Sequence, residues 1–341
     1  MKLNWVNIIT LVAIFSSCAR VQTLNMEKHK YSERPLNIVW IQVPGLSVEQ
    51  LALLRLSTKN AVEKTNLELA QCIGNVWNYN LFEMQPESRK GLISQINGSQ
   101  NIKGTCDDFI QKPVWRYFKE MGYNTAVFEQ VSTLEESVLR AKSCGSSETY
   151  INSEDTFLVM SPQKFLNEGE FHRLEKSWNK KGIAFDKACL SGSCVSTLEA
   201  NVQDFYQDWA QANAKNFLLV RTMNLEKALK AKDLSKVKEA LTELNRLVMF
   251  FSNKITSRSL LVVSSTAAIG VEYPANIKEW GEFERTGKNF SFKSTQLTSP
   301  LFAFGAMAEN FCGMYSESDA LKRILYLPPS KKFDWDYVIP F

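Results

Sequence analysis

Short apolar strands alternate with helices along most of the chain, and this alternation constrains the fold more than any other sequence feature. The strand segments are apolar on both faces, as in Asn37 to Val43 and Leu260 to Val263. Such strands are typical of a mostly parallel sheet that is covered by helices on both sides. The sequence therefore predicts an α/β fold, a three-layer sandwich with a mostly parallel central sheet.

The remaining apolar segments predict the other elements of this sandwich. Further strands are expected at 125–129, 157–160, 217–220 and 300–304, and helices at 48–56, 114–121, 198–214 and 319–325. One face of a long helix carries Val237, Leu241, Leu244, Val248 and Phe251. Together they predict one domain, 36–341, in which the polar stretch 161–197 is an irregular insertion.

Functional sites in such sheets lie beyond the carboxyl ends of the strands. Here those ends carry Pro44, Arg221 and the segment Ser264-Ser265-Thr266. None of them carries a Gly-rich phosphate loop, a His-Glu metalloprotease helix or a nucleophile-elbow pentapeptide. The common catalytic motifs are therefore excluded at these positions.

The first residues have the pattern of an export signal. Lys2 precedes an apolar run, Ile8 to Phe15, that is too short to span a bilayer. The run ends in small residues before Cys18, which resembles a bacterial lipoprotein signal with a lipidated cysteine. We expect a signal peptide at 1–17, a lipidated tether at 18–35 and attachment to the envelope through Cys18. Ala19 after the cysteine suggests the outer membrane; the alternative is an ordinary secretory signal with an incidental cysteine.

Export bears on the six remaining cysteines, because an oxidising compartment favours disulfides. They are Cys72, Cys106, Cys144, Cys189, Cys194 and Cys312. Six cysteines allow fifteen pairings, and the pair at 189 and 194 could close a short local loop. No two cysteines have the two-residue spacing typical of a zinc site. The sequence thus predicts structural disulfides and leaves their pairing open.

The net charge bears on nucleic-acid binding, and the histidine count restricts the possible catalytic mechanisms. A net charge of +4 over 341 residues does not indicate a nucleic-acid binder. The chain has two histidines, His29 in the tether and His172 in the polar insertion. A mechanism that needs three or more imidazoles is therefore excluded.

Several segments, in order, resemble the alkaline phosphatases over roughly 37–325. They are 37–46, 87–98, 114–128, 217–226, 260–267 and 299–305. The resemblance implies an alkaline-phosphatase-like fold and places Ser88 on the phosphorylated serine. Arg140 is the candidate for the arginine that holds the phosphate.

The same resemblance identifies the positions at which the family binds zinc and magnesium. They hold Pro44, Arg221, Glu226, Lys230, Thr266, Ala267 and Ser294. Two-zinc catalysis needs carboxylate and neutral imidazole ligands, and Arg221 and Lys230 would repel a dication. Only Glu226 and Ser88 could still coordinate or attack. We therefore expect no metal cofactor.

Three interpretations follow. In the first, the protein is a pseudophosphatase, a lipid-anchored scaffold or interaction module whose partner the sequence does not name. In the second, Arg140, Arg221 and Lys230 hold phosphate or sulfate beside Ser88. In the third, Ser88 supports weak metal-free hydrolysis, for which the sequence shows no general base. The first is our prediction, and the family resemblance adds a homodimer as an expectation.

Overall fold

The computed structural model describes residues 34–56, 64–145, 150–167, 169–177, 179–189, 194–286 and 291–325. The expected signal peptide, Cys18 and nearly all of the tether lie outside these ranges. Within them, no helix is long and apolar enough to cross a membrane.

Strands and helices alternate through the described residues. The strands are β1 (Asn37–Gln42), β2 (Cys72–Trp77), β3 (Asn124–Gln130), β4 (Thr156–Met160), β5 (Glu170–His172), β6 (Gly182–Asp186), β7 (Asn216–Thr222), β8 (Ser259–Ser264), β9 (Ile269–Glu272), β10 (Ser291–Thr295), β11 (Thr298–Gly305) and β12 (Gly313–Ser316). The helices are α1 (Glu49–Leu56), α2 (Ser88–Asn97), α3 (Val114–Glu120), α4 (Leu198–Ala212), α5 (Asn224–Lys230), α6 (Leu234–Asn253), α7 (Ile277–Thr286) and α8 (Asp319–Leu325).

Ten of these strands form one sheet in the order β12-β2-β11-β8-β1-β7-β3-β4-β6-β5. All neighbours are parallel except β11, which runs antiparallel to both β2 and β8. Strand β1 lies near the middle, paired in register with β7 and β8. Strands β9 and β10 form a separate antiparallel pair.

The two faces of the sheet are covered by different helices, as expected for a three-layer sandwich. Along β1, Val39 and Ile41 pack with the apolar faces of α1, α4, α5 and α6. Ile38 and Trp40 point to the other face and pack with α2, α3 and α8. Because both faces of the central strands are buried, apolar residues are needed at successive positions. The predicted α/β fold class is confirmed.

The long helix α6 begins after a capping residue and buries the apolar face that the sequence predicts. The Asp233 side chain accepts a hydrogen bond from the backbone N–H of Lys236 at 3.1 Å, which caps the helix start. Val237, Leu241 and Val248, spaced by four and seven residues, then lie on one face of the helix and are buried in the core. The predicted face of this helix is confirmed.

The stretch 161–197 is more regular than predicted. It contributes β5 and β6, which extend the parallel sheet beyond β4, so the expectation of an irregular insertion is wrong in this part. Strand β5 lies at the edge and its residues are partly or fully exposed. A short edge strand needs no continuous apolar run, so hydrophobicity does not reveal it.

The six cysteines form three disulfides, which confirms that prediction. The pairs are Cys72–Cys312, Cys106–Cys144 and Cys189–Cys194. The first joins β2 to the residue that precedes β12, two strands that are neighbours in the sheet. The last closes the short loop that the sequence suggested.

Candidate functional site

The carboxyl ends of β8, β1 and β7 lie side by side, which brings together the three strand ends singled out in the sequence. Pro44 and Gly45 turn the chain after β1, and Gly45 has a φ of +83° that favours glycine. The Gly45 N–H donates to the Thr266 carbonyl at 2.9 Å, which ties this turn to the end of β8. These contacts fix the position of the turn after β1 relative to the end of β8.

Arg221, at the end of β7, forms a buried ion pair with Glu129 on the neighbouring strand β3. Both side chains are 1% exposed. Glu129 also accepts hydrogen bonds from the Ser137 hydroxyl and from the Val138 N–H. The guanidinium is therefore neutralised inside the protein, at a position that the sequence resemblance predicts to correspond to a metal ligand.

Ser88, Glu226 and Lys230 form a second linked group. The Ser88 hydroxyl donates to Oε2 of Glu226 at 2.7 Å. The Lys230 ammonium lies 2.6 Å from Oε1 of the same carboxylate, one helical turn further along α5. Sequence analysis found no general base for Ser88, and the structure provides a carboxylate in hydrogen-bond contact with it.

The three cations expected to hold an anion are distributed over two places. Arg140 and Arg221 line one cavity, together with Arg89 and Lys90, whereas Lys230 is not among its lining residues. Arg140 is held there by Glu135, at 3.0 Å, and by its bond to the Gly104 carbonyl. The cavity measures about 10 Å³, which is room for about one water molecule. Arg140 and Arg221 thus share a cavity while Lys230 pairs with the carboxylate that contacts Ser88, and an anion site built from all three cations stays a prediction.

Thr266 lies in a buried polar cluster between β8, α2 and the end of β12. A side chain at Gly91 of α2 would meet the Thr266 hydroxyl at 1.9 Å and Glu317 at 2.7 Å, so this close approach requires glycine. Burial raises the pKa of Glu317 to about 8, although the nearby polar side chains of Thr266 and Gln95 act in the opposite direction. Glu317 is therefore protonated at neutral pH.

Sequence analysis missed both Gly91 and Glu317. A glycine within a helical pattern is a signal of close packing and could have drawn attention to Gly91. Glu317 stands in the polar run Ser316-Glu317-Ser318-Asp319, which is typical of a surface turn. Its burial depends on tertiary packing.

The two other aligned positions hold Ala267 and Ser294. Ala267 is buried, with a φ of +48°. Ser294 belongs to β10, which pairs with β9 outside the main sheet, and its side chain lies outside the described parts of the structure. Neither position supplies a described metal ligand.

The residues at this edge do not fit a zinc or magnesium site. Among the described residues, no group of three or more His, Cys, Asp or Glu side chains could hold a metal ion. Arg221 and Lys230 occupy aligned ligand positions and each is paired with a carboxylate. His172 lies on the edge strand β5 and contacts Glu170 at 2.8 Å. We derive no catalytic step through a metal.

Comparison with known proteins gives structural matches only. No protein-family profile and no curated protein sequence matches the chain. The alkaline phosphatase of the Antarctic bacterium TAB5 aligns with a TM-score of 0.65 at 13% identity, covering 88% of this chain and all of that one. The Thermus thermophilus alkaline phosphatase aligns at 0.64 and 13% identity, covering 90% and 94%.

A third match has a different named activity. The lipoteichoic acid synthase LtaP of Listeria monocytogenes aligns with a TM-score of 0.50 at 12% identity, covering 95% of this chain and 79% of that one. At such identities the likeness concerns the fold alone. The chain therefore has an alkaline-phosphatase-like fold, as the sequence segments predicted.

The buried ion pair between Arg221 and Glu129 leads to a prediction about the free energy of unfolding. Arg221→Met leaves the Glu129 carboxylate buried without its cation, which we expect to lower the free energy of unfolding by about 3–5 kcal/mol. The double variant Arg221→Met/Glu129→Gln removes the charge and should recover at least about 2 kcal/mol of that loss. Urea denaturation measures both. Lys322→Met, which breaks an exposed pair with Asp319, is the control and should change stability by less than about 1 kcal/mol. A double variant no more stable than the single one would contradict this account.

The raised pKa of Glu317 leads to a prediction about how folding stability depends on pH. Its folded pKa of about 8 lies above the ordinary value of 4.5, so the folded state binds the proton more tightly than the unfolded state. Its contribution to stability is complete below pH 4.5 and is lost as the pH rises to about 8. Glu317→Gln should therefore gain stability relative to the unmodified protein by up to about 1.4 kcal/mol per pH unit in this window. Denaturation at pH 5, 6.5 and 8 tests this, with the exposed Glu154→Gln as control. A difference independent of pH would exclude a buried neutral Glu317.

Proposed function

We propose that this protein with an alkaline-phosphatase-like fold is a pseudophosphatase of the bacterial envelope that acts as a scaffold or interaction module. The observation that carries the proposal is the internal charge balance at the aligned metal positions. Arg221 is neutralised by Glu129, and Lys230 is paired with Glu226. Protein cations with their own carboxylate partners thus occupy positions where dications would need ligands.

Export to an oxidising compartment is part of this proposal. Three disulfides join all six cysteines of the domain, and such bonds persist mainly outside the cytosol. The signal-like N-terminal sequence agrees with export. Anchoring through a lipid on Cys18 and an outer-membrane location rest on that sequence pattern.

An exposed apolar loop just before α2 supports an interaction role. Leu81, Phe82 and Met84 are 65%, 54% and 67% exposed. The loop backbone is fixed, since the Asn80 side chain accepts from the N–H groups of Phe82 and Glu83, both at 2.8 Å. Clustered exposed apolar side chains on a fixed backbone are typical of a protein-binding surface. The partner is unidentified, and a second copy of the chain is among the candidates.

A second candidate function is anion binding, favoured by one observation. Arg140 and Arg221 line the same cavity, and Nε of Arg221 has no hydrogen-bond partner among the described residues. The cavity has room for about one water molecule, so phosphate or sulfate would require the site to open. We therefore rank this function second.

Metal content and turnover test the main proposal. We expect the full chain, incubated with zinc and magnesium and then dialysed, to retain far less than one zinc per protein. It should not hydrolyse a chromogenic phosphate monoester above the buffer rate, because the aligned positions lack ligands. Elemental analysis and an absorbance assay measure the two quantities. Stoichiometric zinc together with turnover that Ser88→Ala abolishes would overturn the proposal.

Thermal denaturation separates the two candidate functions. At about 10 mM phosphate or sulfate, compared with chloride at equal ionic strength, we expect no change in Tm beyond about 1 °C. Arg140→Gln serves as the matched variant, because it removes one cation from the cavity. A larger rise in Tm that this variant removes would favour the anion-binding function instead.

A further inference from the structure

One face of the sheet is left uncovered by the described residues at the end that holds β2 and β12. Ile73 and Asn75 of β2 point to the same side as α1 and are exposed, Ile73 by 47%. Met314 of β12, the register partner of Asn75, is 57% exposed. On the opposite face of these two strands, Val76 and Tyr315 are buried. The helical layer on the α1 side therefore stops before β2 and β12.

A cleft of about 620 Å³ lies between α1 and this uncovered face. Leu51 and Leu56 of α1 line it, together with Ile73 and Phe302 of the sheet. Phe302 is the register partner of Ile73 and belongs to the apolar core on the α1 side. Exposed apolar side chains beside an apolar cleft are typical of a surface that another segment covers.

The described part of the chain ends beside the same strands. The last turn of α8 contacts β12 through Arg323, whose guanidinium lies 3.7 Å from the centre of the Tyr315 ring. Arg323 also donates to the carbonyl of Asn310, just before β12, at 2.5 Å. Strand β12 is the outermost strand on this side of the sheet. The residues after Leu325 therefore begin next to a sheet edge, close to the uncovered face.

The sequence that follows α8 has one apolar side when it is extended. Residues 333–341 read Phe-Asp-Trp-Asp-Tyr-Val-Ile-Pro-Phe, so every odd-numbered position holds an aromatic residue or isoleucine. This alternation with a period of two predicts an extended segment that buries one side. Its apolar side matches the apolar character of the uncovered face.

The residues between α8 and this segment are long enough to reach the uncovered face. Residues 326–332 span at most about 23–25 Å when extended. Layers packed on the two faces of one sheet lie about 20 Å apart, twice the usual distance between packed layers. Segment 333–341 can therefore pass around β12 from the α8 side to the α1 side.

Charge also matches between the segment and the cleft. Arg55 and Lys64 line the cleft, where Glu68 is the one acidic lining residue among those described. Segment 333–341 carries Asp334 and Asp336 and contains no Lys or Arg. A net positive rim therefore faces a net negative segment, which favours their association.

We propose that residues 333–341 dock on the face that Ile73 and Met314 expose, with their odd-numbered side chains against it. The segment completes the layer that α1 leaves unfinished over β2 and β12. This assignment goes beyond the proposed function and does not rest on it. The protein's own chain covers this face, whereas the loop of Leu81, Phe82 and Met84 stays available to a partner.

Photo-crosslinking of the full chain tests the docking. Tyr337 is replaced by p-benzoylphenylalanine, the protein is irradiated, and peptide mass spectrometry identifies the joined segments. We expect crosslinks within one chain to residues 73–77 or 313–316. The yield should not depend on protein concentration, because the two sites belong to the same molecule.

Two matched variants of the segment test which side is buried. Trp335→Ser/Ile339→Ser should lower the crosslinking yield at least about tenfold, because it removes two large apolar side chains from the contact. Asp336→Ser/Val338→Ser alters the other side of the same segment and should lower the yield less. Equal yields from the two variants would contradict docking through the odd-numbered side.

A variant of the uncovered face completes the test. Ile73→Thr keeps a β-branched residue in the strand but removes apolar surface, so the yield should fall several-fold. Ile110→Thr is the control, since Ile110 is 67% exposed but lies in neither β2 nor β12. Tm measurements show that each variant is folded. A yield that Ile73→Thr leaves unchanged would contradict the assignment of this face.

The position of the crosslinks decides between occupants. Absence of crosslinks, or crosslinks to other parts of the domain, overturns the proposal. Crosslinked dimers whose yield rises with protein concentration also overturn it and assign the face to a second copy of the chain. Metal content and turnover do not enter this test, so its failure leaves the proposed function unchanged.

Discussion

The buried ion pair between Arg221 and Glu129 is the interaction on which the carboxyl edge of the sheet depends. The two residues are register partners on β7 and β3, so the sheet itself holds the charges together. Removing two charges from water is costly, and mutual attraction with added hydrogen bonds offsets that cost. Glu129 has these additional bonds from Ser137 and Val138. The Glu129 carboxylate is therefore engaged by a guanidinium and two further hydrogen bonds rather than by a metal ion.

The fold could be predicted from the sequence where hydrophobic patterning alone determines structure. Strands such as β1 and β8 are apolar on both faces because helices cover both sides of the sheet. Strand β5 escaped prediction, since it lies at the sheet edge, where a strand is partly solvated and tolerates polar residues. Strand β6 lies between β4 and β5, and its apolar run, Ile183 to Phe185, is only three residues long. Local pattern carries no information about which strand will lie at an edge.

The site was less predictable than the fold, because its side-chain partners come from distant segments. Sequence alignment placed Arg221 and Glu226 at metal positions but could not supply Glu129, which lies 92 residues before Arg221. Glu226 was interpreted as a remnant ligand, so its contact with Ser88 was not considered. Glu317 is buried where α2 approaches Thr266 closely at Gly91. Such partners follow from strand register and helix packing.

The Cys72–Cys312 bond has a consequence for how the chain matures. It spans 240 residues and encloses the other two disulfides along the sequence. A chain that enters an oxidising compartment from its N-terminus exposes Cys72 together with Cys106 well before Cys312 arrives. Oxidation in order of appearance would join the wrong partners, and thiol–disulfide exchange would have to correct them. For an exported chain, the native pairing would thus require either thiol–disulfide exchange or a Cys72 thiol that stays reduced until Cys312 has arrived.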